Sequence, residues 1–202
     1  NGTPGVAVTD AAIGSRLTFV PAGTTAQLVN WLRGDKSQDG LLYRKRIGIL
    51  GDIVNAEPVE TPDGSTIFQG ANDGMLHALD GVTGAEKWAY VPSGVHANMG
   101  ALAMKTYSHR FFVDGTPTIQ KLDGGSVILV GGLRAGGQGF YALNVTNPNA
   151  SSDADVASKV LWEFSGDATS GYTTKLGLSY SKPAIVKTAG SGWVVLVASG
   201  YN

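Results

Sequence analysis

Short apolar runs separated by turn residues recur along the chain, most densely over residues 66–88, TIFQGANDGMLHALDGVTGAEKW. Residues 66–69 form a first run, closed by Gly70. Asn72, Asp73 and Gly74 supply a tight turn, because Asn and Gly tolerate positive φ. Residues 75–79 form a second run, short enough for a strand. Asp80 opens the next turn, where its carboxylate can accept from backbone N–H groups just ahead. Thr83 lies inside this turn, and Gly84 can take the left-handed position that closes it. Residues 87–91 form a third run whose aromatic Trp88 and Tyr90 suit a pleated surface. The stretch predicts strand, hairpin, strand, hairpin, strand. A meander of this kind leaves one face to be covered.

The pattern repeats. Residues 126–132 and 193–200 repeat its first half; residues 140–146 followed by 160–164 repeat its second half, with Asn144 at the Asp80 place and Trp162 at the Trp88 place. A proline-centred strand is predicted ahead of each glycine-ended one, over residues 54–59, 113–119 and 180–186, around Pro58, Pro117 and Pro183. The period is roughly sixty residues, longer than the commonest propeller repeats. Four strands per unit is the make-up of a propeller blade. The predicted class is mainly β: a quinoprotein-like β-propeller fragment with four-stranded antiparallel blades and one short N-terminal helix. The expected division of the incomplete domain 1–202 is a lead-in over 1–46, a first blade over 47–92, a second over 110–165 and the start of a third over 178–202.

The helix is predicted over residues 24–33. Thr24 and Gln27 have capping-box spacing, Leu28, Trp31 and Leu32 share a face, and Gly34 can end it. Residues 1–23 could form a strand or two. Residues 93–109 read as a long connection with room for a short helix around Met99 to Met104. Residues 147–158 and 166–177 read as polar loops, the former the mobile one. The basic run Tyr43, Arg44, Lys45, Arg46 reads as a solvated face or as ion pairs with nearby carboxylates rather than a binding patch.

Composition narrows the field. The 202 residues are 43% hydrophobic with 29 glycines, which excludes a disordered chain and favours turn-dense β structure. A formal net charge of -1 offers no electrostatic case for nucleic acid or an anionic membrane. With no cysteine there is no disulfide, thiolate metal site or cysteine nucleophile. No apolar run reaches the roughly 18 residues that span a bilayer. The chain begins at Asn1 and stops where a third glycine-ended strand should turn, so it reads as a piece of a longer protein.

Candidate chemistry resolves mostly into structure. Trp88 and Trp162 could stack on a cofactor, but their place in the repeat suggests packing on a neighbouring blade. Asp73, Asp80 and Asp114 could be metal ligands, yet each sits beside glycine in a turn, where backbone capping accounts for it. Asp153 and Asp155 lack the remaining ligands of a calcium loop. His77, His96 and His109 show no metal-binding spacing, and His77 falls into the period-2 pattern with Met75 and Leu79. Ser93 and Ser108 lack a nucleophile-elbow context. The glycine-rich stretch 131–139 lacks the ending of a phosphate loop and precedes a strand. The Asn144 sequon matters only in a eukaryotic secretory context.

Several blocks in fixed order then carry a resemblance: LVNWLRGD at 28–35, LGDIVN at 50–55, GANDGMLHA at 70–78, FVDG at 112–115, YALNVT at 141–146 and GYN at 200–202. Together they resemble the propeller domain of the PilY/PilC family of type IV pilus-associated adhesins, over residues 27–202. The resemblance implies a non-enzymatic adhesin and biogenesis factor of a Gram-negative bacterium, exported through the periplasm to the cell surface, outer membrane or pilus tip. Pilus assembly, countering of retraction, twitching motility and surface attachment are the implied roles. Minor pilin components, host or abiotic surfaces engaged through other regions, and the remaining propeller segment are the implied partners. No cofactor is expected in this segment; some members carry a calcium loop, which would follow Asn202. Asn144 departs from the usual Asp of the Ala-Leu-Asp turn, and Asn can make the same turn. The alternatives are a fragment of a pyrroloquinoline-quinone dehydrogenase propeller, which needs a base, stacking groups and metal ligands at the axis, or an envelope scaffold. Residues 193–200, apolar on both sides of the pleat, are expected to pair with the remainder of the domain or to self-associate.

Overall fold

Within each sheet, strands consecutive in the chain pair antiparallel, and the two four-stranded sheets bury most of their two central strands. In the computed structural model, which describes residue 14, residues 16–165 and residues 176–201, the first sheet holds β1 (Val59–Glu60), β2 (Thr66–Gly70), β3 (Leu76–Asp80) and β4 (Glu86–Tyr90) in sequential order. The second holds β5 (Thr118–Lys121), β6 (Val127–Gly132), β7 (Gly139–Asn144) and β8 (Val160–Ser165) in the same order. A third pairs β9 (Ala184–Thr188) with β10 (Gly192–Leu196). The expected strands within 1–23 and the loop at 166–177 fall largely outside the described residues.

The two four-stranded sheets are copies in detail. Phe68 faces Ala78, which faces Trp88; Val130 faces Ala142, which faces Trp162. Both carry an irregularity at the same Ala-Leu step, Ala78/Leu79 and Ala142/Leu143, leaving Lys87 and Leu161 as the extra residues.

The proline-centred strands are shorter than expected. β1, β5 and β9 each begin on the residue after the proline, at Val59, Thr118 and Ala184. Proline has no N–H to give to a ladder. The residues around it bond between sheets instead: Glu57 N donates to Thr116 Oγ1 at 3.0 Å, each just before a proline, and Thr118 Oγ1 donates to the carbonyl of Pro183 itself at 2.6 Å.

The helix α1 spans Thr25–Leu32 with Thr24 as N-cap, both arms of the capping box made, and Leu28, Val29, Trp31 and Leu32 buried. Residues 147–158, expected to be a loop, contain a second helix, α2 (Asp153–Ser158). It buries no side chain, so it has no hydrophobic periodicity to read; its signal was the Ser152 cap, whose oxygen accepts from Asp155 N. The connection after β4 is a 3-10 helix over Ser93–Ala103, earlier and tighter than the turn expected at Met99 to Met104. Gly100 within it admits the backbone of Phe19, whose O would stand 1.8 Å from a Cβ there. Trp31, Tyr43, Met99 and Leu102 join the core there, continuous with Phe68, Leu76, Leu129 and Tyr141 between the sheets.

Candidate functional site

The junction between the two sheets is built from side chains at equivalent places in the repeat. Asn55, three residues before Pro58, donates from N and Nδ2 to the Asp114 carboxylate, three residues before Pro117, at 2.8–3.3 Å. Asp114 is fully buried and also receives Arg134 Nη1 at 3.2 Å. Arg134 is the described non-glycine residue with positive φ, at 52°, and its guanidinium lies over Tyr180 of the third sheet. A carboxylate taken out of water needs such donors to offset its lost hydration. Farther out, the Tyr90 hydroxyl donates to Glu163, whose carboxylate also takes Ser93 N at 3.0 Å, while the Tyr90 and Tyr141 rings meet at 5.3 Å.

A groove of about 600 Å³ runs along the outer strand of the first sheet, between α1 and α2, and the buried His77 lies in its wall. Asp73 holds Nε2 at 3.1 Å and Glu86 holds Nδ1 at 2.7 Å. Burial works against a charge there, but the hydrogen bonds to Asp73 and Glu86 prevail and raise the imidazole to about 9. The ring is therefore a cation at neutral pH, and it holds Glu86 below its ordinary range. Among the described residues, no group of three or more His, Asp or Glu side chains is arranged to hold a metal ion.

The residues singled out from sequence do not converge on one centre. Asn72 is buried, bonding Asp52 through N and Nδ2 and accepting from Phe112 N. Asp73 caps Met75 N and Gly51 N besides holding His77. Gly74 has φ 94°, and a Cβ there would stand 2.3 Å from Met99 Sδ. Asp80 accepts from the backbone and hydroxyl of Thr83 and from Val82 N, which lowers its pKa to about 2. Gly84 closes that turn at φ 72°, donating to Asp80 O. Asn144 accepts from Thr146 N and Oγ1. Trp88 is buried against Phe68 and donates Nε1 to Pro148 O of the next sheet's connection at 2.7 Å; Trp162, at the equivalent place, is half-buried.

Sequence reasoning missed Arg134, Glu86 and Glu163, whose partners are remote in the chain. It also left the basic run undivided. Arg46 is buried, stacks 3.7 Å from the Trp31 ring centre, pairs with Asp39 and caps α1 through Trp31 O and Asp35 O. Arg44 donates to Leu102 O and lies over Tyr107, and Lys45 is exposed. No helix among the described residues is long and apolar enough to cross a membrane.

Comparison with known proteins places this architecture. The model of the PilY1 beta-propeller domain matches residues 47–202. A type IV pilus biogenesis factor PilY1 homolog of Xylella fastidiosa is 37% identical over 98% of this chain and 16% of its own length. The type IV pilus biogenesis factor PilY1 of Pseudomonas aeruginosa is 33% identical over 88% of this chain and 17% of its own length. The crystal structure of the Pseudomonas aeruginosa PilY1 C-terminal domain aligns with a TM-score of 0.46 and 36% identity, covering 65% of this chain and 24% of that one. The chain thus spans about a sixth of the curated relatives it matches. A family match over residues 47–202 and a twice-repeated four-stranded blade agree: the chain belongs to the PilY1 β-propeller family.

Proposed function

We propose that the chain is the blade-bearing part of a type IV pilus biogenesis factor, acting without catalysis in pilus assembly, retraction control and surface attachment. The observation that carries this reading is the match of residues 47–202 to the family domain. The engagement of the polar side chains supports it: Asp80 and Asn144 cap turns, Asp114 joins two blades, and His77 is held between two carboxylates. Such groups make a rigid body for binding other proteins. Its partners in this reading are minor pilin components, and its place is the outer membrane or pilus tip, reached through the periplasm. In this reading the calcium loop of some family members, where the complete protein has one, follows Asn202.

The rest of the propeller joins at β10 in this reading. Leu196 faces Ala184 as Phe68 faces Val59 and Val130 faces Thr118. Phe68 and Val130 have an alanine on their other side, Ala78 and Ala142; Leu196 is 57% exposed there. A strand with alanine at that register completes the third blade.

Deleting the gene in its host tests the role. Loss of surface pili and of twitching zones, restored by the intact gene, is expected; normal piliation and motility would refute it. Calorimetry with pyrroloquinoline quinone in the presence of calcium tests the absence of catalysis, and micromolar binding of the quinone to this chain would overturn it.

A further inference from the structure

Residues 47–54 form an irregular strap, tied to the turn between β2 and β3 through Gly51 N and Asp52 O, that carries an unusual load of exposed apolar side chains. Ile47 is wholly exposed, and Ile49, Leu50, Ile53 and Val54 are 54%, 50%, 45% and 56% exposed. Scattered surface apolar residues are ordinary, but Ile47, Ile49 and Leu50 line one groove together. Below the strap lies a second groove of about 320 Å³, lined by Arg44, Lys45, Ile49, Leu50 and Tyr107 among others.

The charge around this groove is unbalanced. Arg44, Lys45 and Lys36 have no carboxylate partner among the described residues. Lys36 reaches only Ile47 O, at 3.3 Å, and Arg44 is set by Leu102 O and the Tyr107 ring. Of the carboxylates that line the groove, Asp73 pairs with His77, and Asp52 accepts from His109 and Asn72. The groove is therefore apolar at its lip and aromatic within, and its Arg44 and Lys45 have no ion-pair partner among the described residues.

We propose that the strap and its groove form a docking site for a polypeptide segment in which acidic residues alternate with large apolar ones. The apolar side chains of the guest cover Ile47, Ile49 and Leu50, and its carboxylates reach Lys45, Lys36 and Arg44. Charge complementarity selects this occupant, since a basic or purely apolar segment leaves the three cations unpaired. The proposal stands apart from the pilus reading, because it rests on the groove alone.

The test is fluorescence anisotropy of the chain with a labelled, capped peptide carrying two glutamates between leucines. Its lysine-for-glutamate counterpart and phosphatidylglycerol vesicles serve as competitors. The acidic peptide is expected to bind, more weakly as salt rises. Lys45→Glu and Ile49→Ser should each raise its Kd about tenfold, with thermal melts unchanged because both side chains are exposed. Equal binding of the lysine peptide, indifference to both substitutions, or binding of vesicles but not peptide would overturn the proposal. A photo-cross-linker at position 49 in the protein expressed by its own cell should yield intermolecular products. Products confined to the same polypeptide would show that the chain covers its own strap, and would overturn it as well.

Discussion

The first and second blades share register, bulge and tryptophan, yet they differ in size and polarity at one facing pair. In the first, His77 lies beside Gln69; in the second, Tyr141 occupies the equivalent place beside Gly131. The substitution is balanced by volume: a Cβ on Gly131 would stand 2.3 Å from the Tyr141 ring, whereas the smaller imidazole leaves room for glutamine. It is not balanced in polarity. His77 has two carboxylate partners, while the Tyr141 hydroxyl is buried with no hydrogen-bond partner among the described residues and burial raises its pKa. One blade skeleton thus accepts an ion-paired wall or an aromatic one, provided the facing strand adjusts its size.

The outward tryptophans give the largest test of this equivalence. Trp88→Ala should cost about 3–5 kcal/mol, as for other buried aromatic truncations. Trp162→Ala should cost clearly less, because Trp162 is only half-buried. Equal losses in denaturant midpoint would mean that exposure does not separate the two blades.

Proton linkage sharpens the contrast at His77. Its pKa is about 9 when folded and 6.5 in an unfolded chain, so the charged ring stabilises fully below pH 6.5. That contribution declines as pH rises towards 9 and is lost above it; the shift bounds it at about 3 kcal/mol. Chemical denaturation from pH 6 to pH 10 should show the decline. His77→Gln should flatten it, and an unchanged profile in the variant would assign the decline elsewhere.

Gly131→Ala should cost about 1–3 kcal/mol by overpacking against Tyr141. Combining it with Tyr141→His should recover part of that loss, and a strictly additive double variant would break the size argument. The smallest effect is expected of Tyr141→Phe, which removes an unpartnered buried hydroxyl. It should leave stability unchanged or raise it by about 1 kcal/mol. A loss of melting temperature would mean that the hydroxyl has a partner.

Local chemistry determined much of this protein by itself. The capping box at Thr24 and Gln27, the turns at Asp80, Thr83 and Gly84 and the paired Ala-Leu strands involve groups within a few residues, so their geometry follows from spacing. The sixty-residue repetition then told which strands are equivalent. Where the proline strands begin was legible in principle, since a residue without N–H cannot enter a ladder. Other features had to wait for the folded chain. Helix α2 has no apolar face to announce it, and it is held by Arg33, whose bond to Asp153 joins residues 120 apart in sequence. Asn55 meets Asp114, Tyr90 meets Glu163 and Glu86 meets His77 only because sheets stack and strands fold back. The charge of His77, the burial of Arg46 and the unbalanced cations beneath residues 47–50 all depend on which carboxylates arrive from elsewhere. Spacing decides hydrogen bonds within a turn; only packing decides which remote charges share a low-dielectric space.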